Sequence, residues 1–86
     1  MFLDIVTPEK KVFSGEVQLV SVPGKDGYFE VMHNHAAIIS TLKAGSMKFI
    51  EKSGEQQHFH LEGGVIEVKG NKIIILAEKL TVAKAS

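Results

Sequence analysis

Cysteine, arginine and tryptophan are all missing from this chain of 86 residues, and proline occurs only twice. Without cysteine, neither a disulfide nor a thiolate-bound zinc reinforces the core, and thiol redox chemistry is excluded. Without arginine, all ten cations are lysines, so the planar fork that clamps phosphate or carboxylate is absent, which disfavours a phosphoryl-transfer or phosphopeptide site. Ten carboxylates balance the lysines, and a chain of zero net charge has no field to draw it onto nucleic acid or an anionic membrane surface. No apolar run approaches the roughly 20 residues that span a bilayer, and Met1-Phe2-Leu3-Asp4 lacks the basic start and apolar core of a signal peptide.

What is present reads as strands. Met47 and Phe49 alternate with Lys48 and Glu51, and Phe59 and Leu61 with His58, His60 and Glu62, so both segments are half-buried antiparallel strands. Ser53-Gly54-Glu55 between them has the composition of a hairpin loop. Val17 to Val22 is a mostly apolar strand stopped by Pro23-Gly24, and Lys25-Asp26-Gly27 is a tight turn. A second hairpin joins Val65-Ile66-Glu67-Val68 through Lys69-Gly70-Asn71 to Ile73-Ile74-Ile75-Leu76, the last apolar on both faces and so expected in the middle of a sandwich. Gly63-Gly64 marks a bulge or a corner where a second backbone comes close. Helix signals are nearly absent: Ala36 to Leu42 favours extended chain, and Leu76 to Leu80 begins a helical pattern that the chain ends too soon to complete. Turns about every eight to twelve residues predict an all-β fold, a roughly ten-stranded antiparallel β-sandwich in a single domain over residues 1–80, with 81–86 as a flexible C-terminal tail. Phe29, Val31, Phe49, Phe59, Leu61, Ile66, Val68 and Ile74 are the expected core.

Catalytic patterns are wanting. Ser14, Ser40, Ser46 and Ser53 lie beside turns with no Gly-x-Ser-x-Gly elbow, and Gly24-Lys25-Asp26-Gly27 is too short and too acidic for a phosphate loop. His33-Asn34-His35 shares letters with the His-Asn-His nucleases, but the basic patch that a phosphate backbone needs is missing. His33, His35, His58 and His60 form two His-x-His pairs, which on a strand point to one face and would suit zinc, copper or nickel if the pairs met. The plainer reading puts His58 and His60 on the wet face of a strand whose buried face is Phe59 and Leu61. Neither a metal nor a cofactor is therefore expected. Tyr28, Phe29, Met32 and His35 bring residue types enriched at protein interfaces together within eight positions.

Three blocks carry a resemblance: Val12-Phe13-Ser14-Gly15-Glu16-Val17, Gly27-Tyr28-Phe29-Glu30-Val31-Met32-His33-Asn34-His35-Ala36, and Leu61-Glu62-Gly63-Gly64-Val65-Ile66-Glu67-Val68. In this order and spacing the chain resembles the N-terminal β-sandwich domain of the epsilon subunit family of the F-type ATP synthase, from Leu3 to Glu78.

That resemblance implies a non-catalytic rotor part of the central stalk, coupling the gamma shaft to the membrane c-ring of a proton- or sodium-translocating synthase, on the cytoplasmic face of the bacterial inner membrane. Carried over by position, Tyr28, Glu30, Asn34 and His35 would meet the ring, and His35, Ile39 and Thr41 would lie near gamma. The family commonly has glycine where Glu30 stands and proline where His33 and Ala37 stand, so this loop is less constrained in the unfolded chain. Members of that family usually continue past the last strand into a two-helix hairpin, whereas this sequence stops at Ser86, so the expectation covers the sandwich domain without those helices. The alternative is a small metal-binding β-barrel built on the four histidines.

Overall fold

The computed structural model describes residues 1–83. It holds nine strands: β1 (Phe2–Val6), β2 (Lys11–Gly24), β3 (Gly27–Val31), β4 (Ile38–Leu42), β5 (Gly45–Glu51), β6 (Gln56–Leu61), β7 (Gly64–Lys69), β8 (Lys72–Ala77) and β9 (Leu80–Val82). Among the described residues there is no helix. The all-β expectation holds with nine strands in place of about ten, because the blocks around Gly15 and Leu19 form one unbroken strand of 14 residues.

The length of β2 is what makes two layers out of one sheet. Its first half pairs with β1, from Phe2↔Glu16 to Val6↔Lys11, and its second half pairs with β3 on one side and β5 on the other. The remaining strands follow in the order β1-β8-β7-β4 on one side of β2 and β5-β6-β9 on the other. One pairing departs from the antiparallel expectation: β1 runs parallel to β8, Phe2↔Lys72 through Val6↔Leu76. A parallel pair needs a long crossover, and the six strands between the two supply it. β2 ends at Gly24, where the Pro23-Gly24 pair predicts, and Pro23, which has no amide to donate, accepts through its carbonyl from the Lys43 amide at 2.9 Å.

A bulge sets which side chains β2 buries. Its register with β5 jumps from Val17↔Glu51 to Leu19↔Ile50, leaving Gln18 unopposed. The Gln18 side-chain amide fills the gap by donating to the carbonyls of Glu51 and Lys52, at 3.2 and 3.0 Å. A bulge shifts the inward phase by one residue, so Val17 and Val20 both reach the core, and the simple alternation expected through Val17, Leu19 and Ser21 does not hold.

The two layers close on Leu3, Ile5, Ile66, Val68, Ile73 and Ile75 from one side and Val20, Val22, Val31, Met47, Phe49 and Leu61 from the other. Of the expected core, Val31, Phe49, Leu61, Ile66 and Val68 are buried, while Phe29 and Phe59 are half-buried and pack against the cluster. Phe49 is the hub, its ring centroid 4.4 Å from that of Phe13 and 6.0 Å from that of Phe59. Ile74 is corrected: the strand alternates after all, with Ile73 and Ile75 inward and Ile74 and Leu76 on the outer face.

At the corner predicted for Gly63-Gly64, a Cβ on Gly64 would collide with the Leu76 carbonyl oxygen and lie 3.0 Å from the Ala77 Cα, so β7 and β8 meet there only because the residue is glycine. The segment after Leu76 is not a helix start. Glu78 and Lys79 turn the chain, bonded to Gly63 and Glu62, and β9 then pairs with β6 from Leu61↔Leu80 to Phe59↔Val82. Of the expected tail, Thr81 and Val82 thus belong to a strand, and residues 84–86 lie outside the described residues.

Candidate functional site

Tyr28 and Glu30 point outward from β3, two residues apart, and Tyr28 is 59% exposed. The Tyr28 hydroxyl accepts a bond from the Ser46 amide at 3.0 Å, which ties the strand to the start of β5. Asn34 and His35 follow the other end of β3, which pairs only with β2, so Tyr28, Glu30, Asn34 and His35 run along one strand and into the loop after it. Asn34 has φ 64° and Asn71, in the β7–β8 turn, φ 61°. Both occupy the left-handed region that asparagine tolerates. They clasp each other: the Asn34 amide donates to Asn71 Oδ1 at 2.9 Å, and the Asn71 side-chain amide to Asn34 Oδ1 at 3.4 Å. The Asn71 carbonyl also takes the Phe2 amide at 2.9 Å. His35 closes the loop, its amide donating to the Met32 carbonyl at 3.1 Å and its Nδ1 lying 2.7 Å from the Ala36 carbonyl.

Ile39 and Thr41 stand on the outer face of β4, and here the structure adds what the sequence reading missed. Registers align Thr41, Val65, Leu76 and Val6 in one row across β4, β7, β8 and β1, and Ile39, Glu67, Ile74 and Asp4 in the next. Ile39 is 72% exposed, Leu76 53% and Val65 38%. The result is an apolar outer face with a depression lined by Ile39, Val65, Glu67, Ile74 and Leu76. The signal for it lay in the both-faced apolar run Ile73 to Leu76, which the sequence reading placed inside a sandwich. Exposed apolar surface of this kind is common at sites that a partner covers.

Asp4 borders the face. Its Oδ1 is enclosed, accepts no hydrogen bond among the described residues, and has the Lys11 ammonium at 3.6 Å. The neighbouring Ser14 hydroxyl first, then Lys11 and Lys72, hold the Asp4 carboxyl below its ordinary pKa of 3.8, against the opposing effect of desolvation. The histidine pairs stay apart in kind: His58 and His60 line the wet face of β6, with His60 3.5 Å from Glu62, while His33 and His35 belong to the loop after β3. Among the described residues no group of three or more histidine, aspartate or glutamate side chains is placed to hold a metal.

A model of the ATP synthase delta/epsilon chain β-sandwich domain matches residues 1–83. The ATP synthase epsilon chain of Chlorobium limicola is 46% identical over 79 residues, which cover 92% of this chain and 90% of that one. That of Chlorobaculum tepidum is 42% identical over the same shares. Two solved structures share the fold. One is of the Euglena gracilis mitochondrial ATP synthase OSCP/F1/c-ring, with a TM-score of 0.87 at 16% identity over 93% of this chain and 51% of the other. The second is of the Tetrahymena thermophila mitochondrial ATP synthase central stalk and c-ring, with a TM-score of 0.79 at 20% identity over 95% of this chain and 66% of the other. This chain thus spans about half and about two thirds of those two subunits. Sandwich topology, the glycine corner and the relatives over nearly its whole length agree: the chain belongs to the epsilon family of the ATP synthase.

Proposed function

We propose that this domain is a coupling part of the ATP synthase rotor, gripping the gamma shaft with one face and the membrane ring with the adjoining end, so that ion-driven rotation of the ring reaches the catalytic head. The observation that carries the reading is the exposed apolar face of Ile39, Val65, Ile74 and Leu76 in a chain 46% identical to an ATP synthase epsilon chain. Apolar surface laid open on a small sheet gains stability only when a partner covers it. Gamma would cover it along β4, β7 and β8, with His35, Ile39 and Thr41 in the contact. Tyr28, Glu30, Asn34 and His35 would face the polar loops of the ring. His35 belongs to both sets by the same position-by-position carry-over, and it lies in the loop between β3 and β4. The complex would sit at the cytoplasmic face of the bacterial inner membrane.

No catalytic step falls to this chain in that reading. Its contribution is geometric: a stiff body between two partners. Reconstitution of the synthase in vesicles tests it, with ATP synthesis and ion-driven rotation read for Ile39→Asp and for His35→Glu. We expect both variants to fold as the parent does and to fail in coupling. Full ATP synthesis with both in place would overturn the reading.

A further inference from the structure

The apolar face is not uniformly apolar. Glu67 stands at its centre, directly opposite Ile74 on β8 and Ile39 on β4, and two residues along β7 from Val65 on the same side of the sheet. Directly opposed residues have Cβ atoms about 4.5–5.5 Å apart, so the carboxylate rises beside Ile39 and Ile74, in a depression that Val65 and Leu76 complete. Among the described residues the ion pairs are Met1 with Glu16, Lys11 with Asp4 and His60 with Glu62; none engages Glu67. Lys69 and Lys72 flank it at the rim, where a second depression is lined by Glu67, Lys69, Lys72 and Ile74.

In water such a carboxylate is comfortable. Under a docked partner it is not, because loss of hydration without a counter-charge costs far more than the surrounding aliphatic contacts return. A partner that covers Ile39, Val65, Ile74 and Leu76 must therefore bring its own cation to this point. Resting on the docking face proposed above, we infer that Glu67 is the selectivity residue of that face: it admits a partner whose apolar contact surface carries a lysine or arginine at its centre, and rejects one that is apolar or acidic there. Specificity then comes from the penalty on the wrong partner as much as from attraction to the right one.

The test measures binding of the full chain to the cognate gamma subunit, assembled with the catalytic head, at low and moderate salt. Glu67→Gln keeps shape and removes charge. We expect it to weaken binding by about 30-fold or more, the scale of stripping one partner from an enclosed ion pair, and to flatten the salt dependence of association. Glu67→Lys should weaken it further, and reversing one lysine or arginine of gamma to glutamate should restore binding to that variant. Thermal melts of each variant check that folding is intact, as expected for exposed strand positions. Lys69→Ala with Lys72→Ala should change affinity by less than about threefold, since rim charges act mainly on association rate. If that double variant loses as much as Glu67→Gln, the chain neutralises its own carboxylate and the inference falls. It falls equally if Glu67→Gln binds as the parent does. Ile39→Asp and Leu76→Asp distinguish the two failures: if they abolish binding while Glu67→Gln does not, the face stands without its selectivity residue, and if they too bind normally, the face itself is wrong.

Discussion

At the scale of single residues, two polar groups hold geometry that the apolar core does not. The Asn34–Asn71 clasp joins the loop after β3 to the β7–β8 turn and, through the Asn71 carbonyl, to the start of β1. Because both asparagines have positive φ, alanine would confuse two effects, while Asn71→Gly keeps the backbone and removes only the clasp. We expect that substitution to destabilise the domain by about 1 kcal/mol, the size of one or two exposed hydrogen bonds, lowering the melting temperature by about 5 °C. Amide exchange over Met32 to Ala37 should accelerate by more than that global change explains. Asp4 is the second such group. Its pKa lies below 3.8 in the folded chain, so it contributes stability above the unfolded value that is lost as pH falls through the folded one. Asp4→Asn should remove that part of the acid sensitivity below about pH 4 and leave the rest of the curve in place, as denaturation midpoints taken down the acid range would record. Neither device was legible in the sequence. Asn34 and Asn71 are separated by 37 positions, and no local pattern pairs them.

At the scale of elements, periodicity served where strands are regular and failed where they are not. The β5–β6 hairpin is plain in the sequence because Met47 and Phe49 face Phe59 and Gln57 in a continuous register. In β2 the bulge at Gln18 changes the inward phase in mid-strand, which no two-residue rule detects. In β8 all residues from Ile73 to Leu76 are apolar, so hydropathy carries no information on which two face the core, and Ile74 was assigned inward for that reason. β9 is three residues long, and a segment of that length has no period to read. On the exposed outer face, Ile39 and Thr41 follow from the family resemblance, whereas Val65 and Leu76 require the register of β4, β7 and β8. The corner was signalled by the Gly63-Gly64 pair, which suggests a bulge or a close backbone approach. Gly64→Ala should cost about 3 kcal/mol or more, since a backbone carbonyl and Cα block the new methyl and neither strand yields without losing ladder bonds. Chemical denaturation would measure this, and a loss under about 1 kcal/mol would mean the β7–β8 corner yields more readily than its contacts imply.

At the scale of the whole molecule, β1 is the closing piece, bound on one edge to β2 and on the other to β8. Its parallel partner lies more than sixty positions downstream, so the closing contacts form only after nearly the entire chain is in place. Contacts of such high separation place folding in the millisecond-to-second range. Ile5 and Ile75 are opposed in this pairing, and both are fully buried. Ile5→Ala should cost about 2–5 kcal/mol, a large share of the roughly 4–13 kcal/mol available to a domain of this length. The same change should accelerate unfolding more than it slows refolding if β1 closes last, and stopped-flow circular dichroism would read both rates.

The closure by β1 and β2 has a mechanical side. A tangential load applied across the outer face of β1, β8, β7 and β4, along the strands, strains every bridge of the β1–β8 ladder at once. Tension on the short β9 loads its three pairings with β6 one after another. The first arrangement resists as a sheared joint and the second parts as a peeled one. Under torque the domain would therefore stay rigid beneath its docking face and give way first at β9, the strand farthest from that face in the order of the sheet.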